Sequence, residues 1–196
     1  VLGNAFINID AATGEQTGGS AEPGIIQVSH DANGNGLPDD PWFEIQGSDH
    51  TLPTTLSRYA ITYIRPAEGG DTSWEDSEGQ TGLIAQLPFH TQPYYPQWLE
   101  EDQLSFTGTR LASNVEHLPN GTYLLRALPW GYADNRPNRS KECEINIDWA
   151  VTDEGQPACL PGIHFVRVYT GVNQYNGMTG ESSTEVCGAV DLHLTE

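Results

Sequence analysis

No stretch of this chain sustains an apolar pattern long enough to build an extended helix. Twenty-one Gly and thirteen Pro are spread along its whole length and cut the apolar residues into short runs, which leaves room for strands and turns but almost none for helices of ordinary length. "YAITYIR" and "HFVRVYT" place β-branched or aromatic residues at every second position, the period of a strand with one face buried. Strands are predicted at 1–7, 25–30, 42–46, 59–65, 82–87, 104–107, 122–128, 145–151 and 163–170. Nine short strands punctuated by turns predict an all-β fold, a β-sandwich or jelly roll. The 196 residues suit one domain, residues 1–196, with an ordinary core. Long irregular connections fall at 8–24, 66–80, 88–103, 129–144 and 171–184, and loops of this length inside a compact domain are either functional or pinned. The short segment "PQWLEE" is the best helical candidate.

Between the runs "IIQVS" and "WFEIQ" lies "HDANGNGLPDDP". Reading from Asp31, side-chain oxygens recur at Asp31, Asn33, Asn35 and Asp39, with Gly36 at the sixth position and the carbonyl of Leu37 at the seventh. Alternate inward-pointing oxygens around a glycine bend are the ligand rhythm of a calcium loop, and hard oxygen donors favour calcium over a transition metal. The twelfth position of an EF-hand carries a bidentate Glu; here it is Trp42, so the loop is not an EF-hand. It is expected to close a hairpin, with Asp40 or Glu44 replacing the missing carboxylate and His30 as a neighbour to check. Asn-Gly repeats are also plain turn chemistry; that reading explains the glycines but not the spaced oxygens.

Two aromatic segments are candidate ligand sites. "FHTQPYYPQW" brings Tyr94, Tyr95 and Trp98 into a proline-stiffened loop, and "PWGYADNRPN" sets Trp130 and Tyr132 beside Asp134 and Arg136. Rigid aromatic loops make stacking platforms at low entropic cost; the alternative for the first segment is a hydrophobic plug over one end of the sandwich, and for the second a structured loop with an Asx-turn.

Eight basic residues against twenty-seven acidic ones give a net charge of −19, which repels phosphate backbones and anionic lipid. Nucleic acid is therefore not an expected partner. No apolar run reaches the roughly 20 residues of a membrane span, so no direct membrane insertion of this segment is expected. Cys143, Cys159 and Cys187 show no metal-binding spacing; small buried thiols are expected, with one bridge as the alternative. No nucleophile elbow, zinc-protease helix or phosphate loop occurs, and carboxylates are too many for a glycosidase pair to be picked out. A non-enzyme is expected, with glycan hydrolysis as the weaker alternative. Asn120 and Asn138 open N-glycosylation triplets, meaningful only in a eukaryotic secretory host.

The blocks "AEPGIIQVSHDANGNGLPDDPWFEIQGSD", "FHTQPYYPQW", "FTGTRL", "GYADNRPN", "IDWAV" and "LPGIHFVRVYTGVNQ", followed by "GESSTEVCGAVDLHL", resemble in order a family of Bacteroidetes cell-surface proteins of the PKD-domain-containing type. That resemblance implies a galactose-binding-like jelly roll at the extracellular or outer-membrane surface. Some members stand near components of vitamin B12 uptake, so it implies a surface lipoprotein in nutrient capture with a corrinoid or a sugar as ligand. A structural role beside an outer-membrane transporter or partner chain is a further alternative. Family members carry further strands ahead of the segment resembling "VLGNAF"; this chain is expected to be the C-terminal part of a longer surface protein, or to take those strands from another polypeptide, leaving an open sheet edge.

Overall fold

The computed structural model describes residues 1–67, 70–177 and 180–194. Residues 68–69 of the expected 66–80 loop and 178–179 of the expected 171–184 loop lie outside the described residues, as do the last two positions of the expected domain. In chain order the strands are β1 (Phe6–Ile9), β2 (Gln16–Ser20), β3 (Gly24–Ser29), β4 (Trp42–Ile45), β5 (Leu56–Ile64), β6 (Thr72–Asp76), β7 (Thr81–Ile84), β8 (Gln103–Arg110), β9 (Val115–His117), β10 (Tyr123–Leu125), β11 (Ala150–Val151) and β12 (Phe165–Thr170). Two single 3₁₀ turns, Lys141–Cys143 and Ile147–Trp149, lie between β10 and β11.

The strands form two antiparallel four-stranded sheets, ordered β11-β4-β3-β12 and β7-β6-β5-β8, and two hairpins, β1-β2 and β9-β10. The all-β sandwich expected from the strand pattern is the observed class. β3 is its centre. Ile25, Ile26 and Val28 are all buried, because β3 is covered on both faces. Ile26 and Val28 join Ile45, Ala133 and Ala150 in one core, with Phe43, Trp149 and Val168 packed against it. Ile25 faces the other way and joins Leu111, Tyr132 and Val172. Burial of each branched side chain contributes about 1.5–3 kcal/mol, so substitution to Ala in β3 costs about 2–5 kcal/mol per site.

Several boundaries differ from the sequence expectation. "PQWLEE" is a turn closed by Leu99 N–H donating to Pro96 O; the chain enters β8 at Gln103, which leaves no length for a second helical turn. The expected strand 145–151 begins only at Ala150, because the Asn146 side chain accepts from Asp148 N–H and caps a 3₁₀ turn there. β2 and β6 form inside stretches expected to be loops. In β2, "QTGGS" has no apolar alternation to announce it, yet Gly18 and Gly19 pair with Asn8 and Ile7. The cysteines carry no bridge, and Cys159 and Cys187 are exposed, which corrects the expectation of buried thiols.

The long connection 129–144 is pinned from within. Asn135 is buried, its amide donating to Leu128 O at 2.9 Å while its Oδ1 accepts from Leu128 N–H at 2.7 Å. Asn138 closes a similar pair with the N–H and C=O of Gly3, so the second glycosylation triplet holds a structural amide. Such pairs satisfy backbone groups that no strand ladder reaches.

Candidate functional site

The β3–β4 connection gathers four of the expected calcium ligands. Asp31 accepts Asn35 N–H on Oδ1 (3.1 Å) and Gly36 N–H on Oδ2 (2.9 Å), and these amides, Gly36 first, hold its carboxyl below the usual range. Gly34 and Gly36 both take positive φ, 71° and 74°, the left-handed conformation that turns the loop back on itself. Asp39 then receives the amide nitrogens of Asn33 (3.3 Å) and Asn35 (3.0 Å) on its two oxygens. Asp31, Asn33, Asn35 and Asp39 thus face one another, and the Asn amides place their positive ends toward the Asp39 carboxylate. An oxygen-only donor set of the kind calcium takes requires both amides to flip and to give up two backbone bonds, the first being Asn35 N–H to Asn33 Oδ1 at 2.9 Å. Leu37 N–H donates to Asn35 Oδ1 at 2.7 Å.

The two proposed substitutes for the twelfth ligand part company. Asp40 stays in the loop, accepting Ala32 N–H at 3.1 Å. Glu44 does not: it accepts hydrogen bonds from Thr109, Tyr169 and Gln27 between the sheets, so it is removed from the loop. His30 bonds Gly162 O and sets its ring tilted against that of His164, centroids 4.9 Å apart, and His164 Nδ1 accepts Asp31 N–H.

The seven expected ligand-binding residues do not form one surface. Tyr95 is 1% exposed and Tyr132 is 2% exposed. Neither ring has a face to offer, which corrects the expectation that both contact ligand. Tyr95 donates to Glu101 O and lies under the Arg65 guanidinium at 4.6 Å. Tyr132 packs against Gly47, accepts Asp49 N–H, and its hydroxyl is pushed up to about 12 by burial. Asp134 is also buried, at 3% exposure and with φ +48°. Its Oδ1 accepts the N–H groups of Asn4 and Ala5 and its Oδ2 that of Glu185, so it ties both ends of the chain to the 129–144 loop. Arg136 donates to Leu128 O. Trp130 packs on Trp149 at 4.6 Å, and Tyr94 bonds His90 and Glu181, its hydroxyl raised to about 12 by burial first and then by the Glu181 charge. Trp98 alone stands free, 81% exposed. The plug reading therefore describes Tyr95, and the structured-loop reading describes Tyr132 and its neighbours.

Beside Asp134 lie the carboxylates of Glu22 and Glu185, with one oxygen of each of the three within 4.8 Å of the others. Three backbone N–H groups occupy Asp134, and Glu185 Oε2 is buried without a donor. A proton on Glu185 directed at Asp134 satisfies both. Burial, and next this hydrogen bond, raise the Glu185 carboxyl to about 7.

A cleft of about 550 Å³ lies between the sheets, with β5 and β8 on one wall and β12 with Gln27 of β3 on the other. Sheet register explains its lining. Tyr59, Ile61 and Tyr63 alternate on one face of β5, opposite Gly108, Phe106 and Leu104 of β8. The sheets meet at Gly108, where a β-carbon would overlap the Tyr169 hydroxyl. That hydroxyl accepts Thr109 N–H at 2.6 Å and donates to Glu44; Thr109 Oγ1 donates to the other Glu44 oxygen at 2.6 Å. Away from this junction the walls separate. Phe106 is 51% exposed and sets its ring edge-on to Tyr63 at 6.1 Å. The cleft is a wedge: closed by a buried polar knot at one end, open and aromatic at the other. Sequence reading missed it because its residues come from four strands, and the only local signal was the aromatic alternation already assigned to core.

No family model matches the chain, and no curated protein matches it. No helix among the described residues is long and apolar enough to cross a membrane.

Proposed function

We propose that this chain is a non-enzymatic, calcium-stabilised ligand-binding domain, displayed at a bacterial cell surface and serving nutrient capture, with the inter-sheet wedge as its ligand site. The observation that carries the reading is the wedge itself: rigid strands hold Tyr63 and Phe106 at an open mouth of ligand-sized volume, against the roughly 300–1,000 Å³ of small-molecule sites. Aromatic faces with a few fixed polar groups suit a sugar ring. A corrinoid with its side arms exceeds what such a wedge encloses, so the carbohydrate reading is preferred over the corrinoid one. Cleft-lining residues include no Asp, Glu, His or Cys, the groups that carry most acid–base and covalent chemistry, which favours binding over catalysis. Calcium at Asp31, Asn33, Asn35 and Asp39 would stiffen the β3–β4 hairpin that carries Glu44 to the closed end of the wedge.

The test is saturation-transfer NMR with a panel of neutral and acidic monosaccharides and cyanocobalamin, on the wild type and Phe106→Ala. A ligand whose signal depends on Phe106 supports the reading. Binding that ignores Phe106→Ala and Tyr63→Ala throughout the panel refutes the wedge as the site.

A further inference from the structure

We infer that the wedge is built for an anionic ligand, a hydroxylated ring bearing a carboxylate, of which the uronic acids are the type; this rests on the wedge being the ligand site. About one residue in seven of this chain is acidic, yet none of the residues lining the wedge is Asp or Glu, while two of the eight basic residues, Arg110 and Arg167, line it. The rest of so acidic a surface repels an anion, and this patch is where one meets cations instead.

The two arginines are held differently. Arg110 lies over the Tyr59 ring at 5.0 Å and has its own counter-ion, Asp76, at 3.7 Å. Asp76 is fixed behind the wall by Tyr59 and by the backbone of Gln80 and Glu78. Arg167 has no such partner: among the described residues no carboxylate forms an ion pair with it. It stands in a row across three strands, Arg167 opposite Gln27 and Gln27 opposite Glu44. Gln27 Oε1 accepts from Arg167 Nε at 2.6 Å, and its amide donates to Glu44 at 3.3 Å. The guanidinium also lies over the Trp42 ring, its carbon 4.2 Å from the centroid. Nε is thus spent inward and the head is seated on the Trp42 ring, which leaves the terminal nitrogens as a preoriented fork. Such a fork matches a carboxylate bidentately, and the aromatic edge of Phe106 and Tyr63 is available to the sugar ring.

The experiment compares methyl β-D-glucuronide with methyl β-D-glucoside, two probes that differ in the carboxylate, by NMR titration of the wild type, Arg167→Gln, Arg167→Lys and Phe106→Ala, each checked for an unchanged melting transition. The expected result is saturable glucuronide binding at least tenfold tighter than glucoside. Arg167→Gln should abolish that preference, Arg167→Lys should keep part of it, and raised salt should shrink it. Equal affinities for both probes, lost together in Phe106→Ala, overturn the anion inference and leave the wedge standing as the site. Glucuronide binding that survives both Arg167→Gln and Phe106→Ala overturns both. If neither probe binds, the anion inference fails, and the wider panel decides the wedge separately.

Discussion

Tyr169→Phe tests the closed end of the wedge without disturbing its shape. The ring stays, so packing against Ile25 and Leu111 is conserved; what goes is one hydroxyl with two partners. It donates to Glu44, and a hydrogen bond to a charged group contributes about 1.5–3 kcal/mol. It also accepts the backbone N–H of Thr109, which has no substitute once the oxygen is removed, and a buried donor left bare costs about 1–3 kcal/mol. Glu44 keeps Thr109 Oγ1 and Gln27, and water can enter from the open mouth, so the lower part of the combined range applies: about 3 kcal/mol. For a chain of this length that is a fall of roughly 6–12 °C in melting temperature. Urea unfolding followed by tryptophan fluorescence should show the midpoint shift with an unchanged slope, since the surface exposed on unfolding is the same. Pairing the change with Glu44→Gln in a double-mutant cycle should recover a coupling above about 1 kcal/mol. A loss below about 1 kcal/mol in the single variant would refute the argument, because it would mean that the junction hydroxyl is solvated rather than shared between the sheets.

Calcium at about one hundred times its dissociation constant should stabilise by about 2.7 kcal/mol, a rise of roughly 5–11 °C by the same scaling. Asp39→Asn should remove most of it, and a melting curve indifferent to calcium and chelator would dismiss the loop as a metal site. The Glu185 carboxyl is raised in the folded chain, to about 7. The stabilisation it confers is complete below the unfolded carboxyl value and is lost as pH rises through the folded one. The melting temperature should therefore fall between pH 5 and pH 8, with the Glu22 and Asp134 carboxylates as the acids facing it. Glu185→Gln should flatten that fall relative to wild type; parallel profiles would show that the general charge repulsion of the chain is its cause. Tyr95→Ala should cost about 3–5 kcal/mol as a core truncation and Trp98→Ala under about 0.5 kcal/mol, measured by denaturant unfolding; equal effects would contradict the plug assignment.

What could be read from the sequence was whatever is encoded locally. The Asp31–Asp39 loop is a single contiguous turn whose side chains meet because alternate residues of a tight bend point inward, so its spacing in the chain is its geometry in space. β5 and β12 announced themselves in the same way, by a period of two. Tyr95 and Tyr132 misled for an equally physical reason. An aromatic ring between prolines is needed both to cap a core and to stack on a ligand, and only burial separates the two uses. Asp134 is the sharper case. Beside Arg136 and Tyr132 it looks like a ligand contact, whereas its partners, the amides of Asn4, Ala5 and Glu185, lie about 50 to 130 residues away in sequence.

The wedge was illegible for the same reason carried further. Its two walls are held together by contacts between β4, β8 and β12, so no window of sequence contains both sides. What the sequence does hold is a clue of another kind. In β3, "GIIQVS" puts Gln27 between apolar neighbours, and in β4 and β12 Glu44 and Arg167 stand at the paired positions. A polar residue in the middle of three adjacent strands is costly in a packed core unless each finds a partner, and here the partners are one another, Thr109 and Tyr169. The polar row therefore explains both halves of the site. Its Glu44 end, satisfied by the opposite sheet, locks the wedge shut, and its Arg167 end, without an ion-pair partner among the described residues, is where the proposed anion would sit. Replacing Gln27 by Leu should separate these roles: Glu44 retains Thr109 and Tyr169, so the junction survives, while Arg167 loses the bond that fixes its Nε. Glucuronide affinity should then drop several-fold with a melting temperature close to wild type, and a variant that loses stability but not affinity would show that the row serves the fold alone.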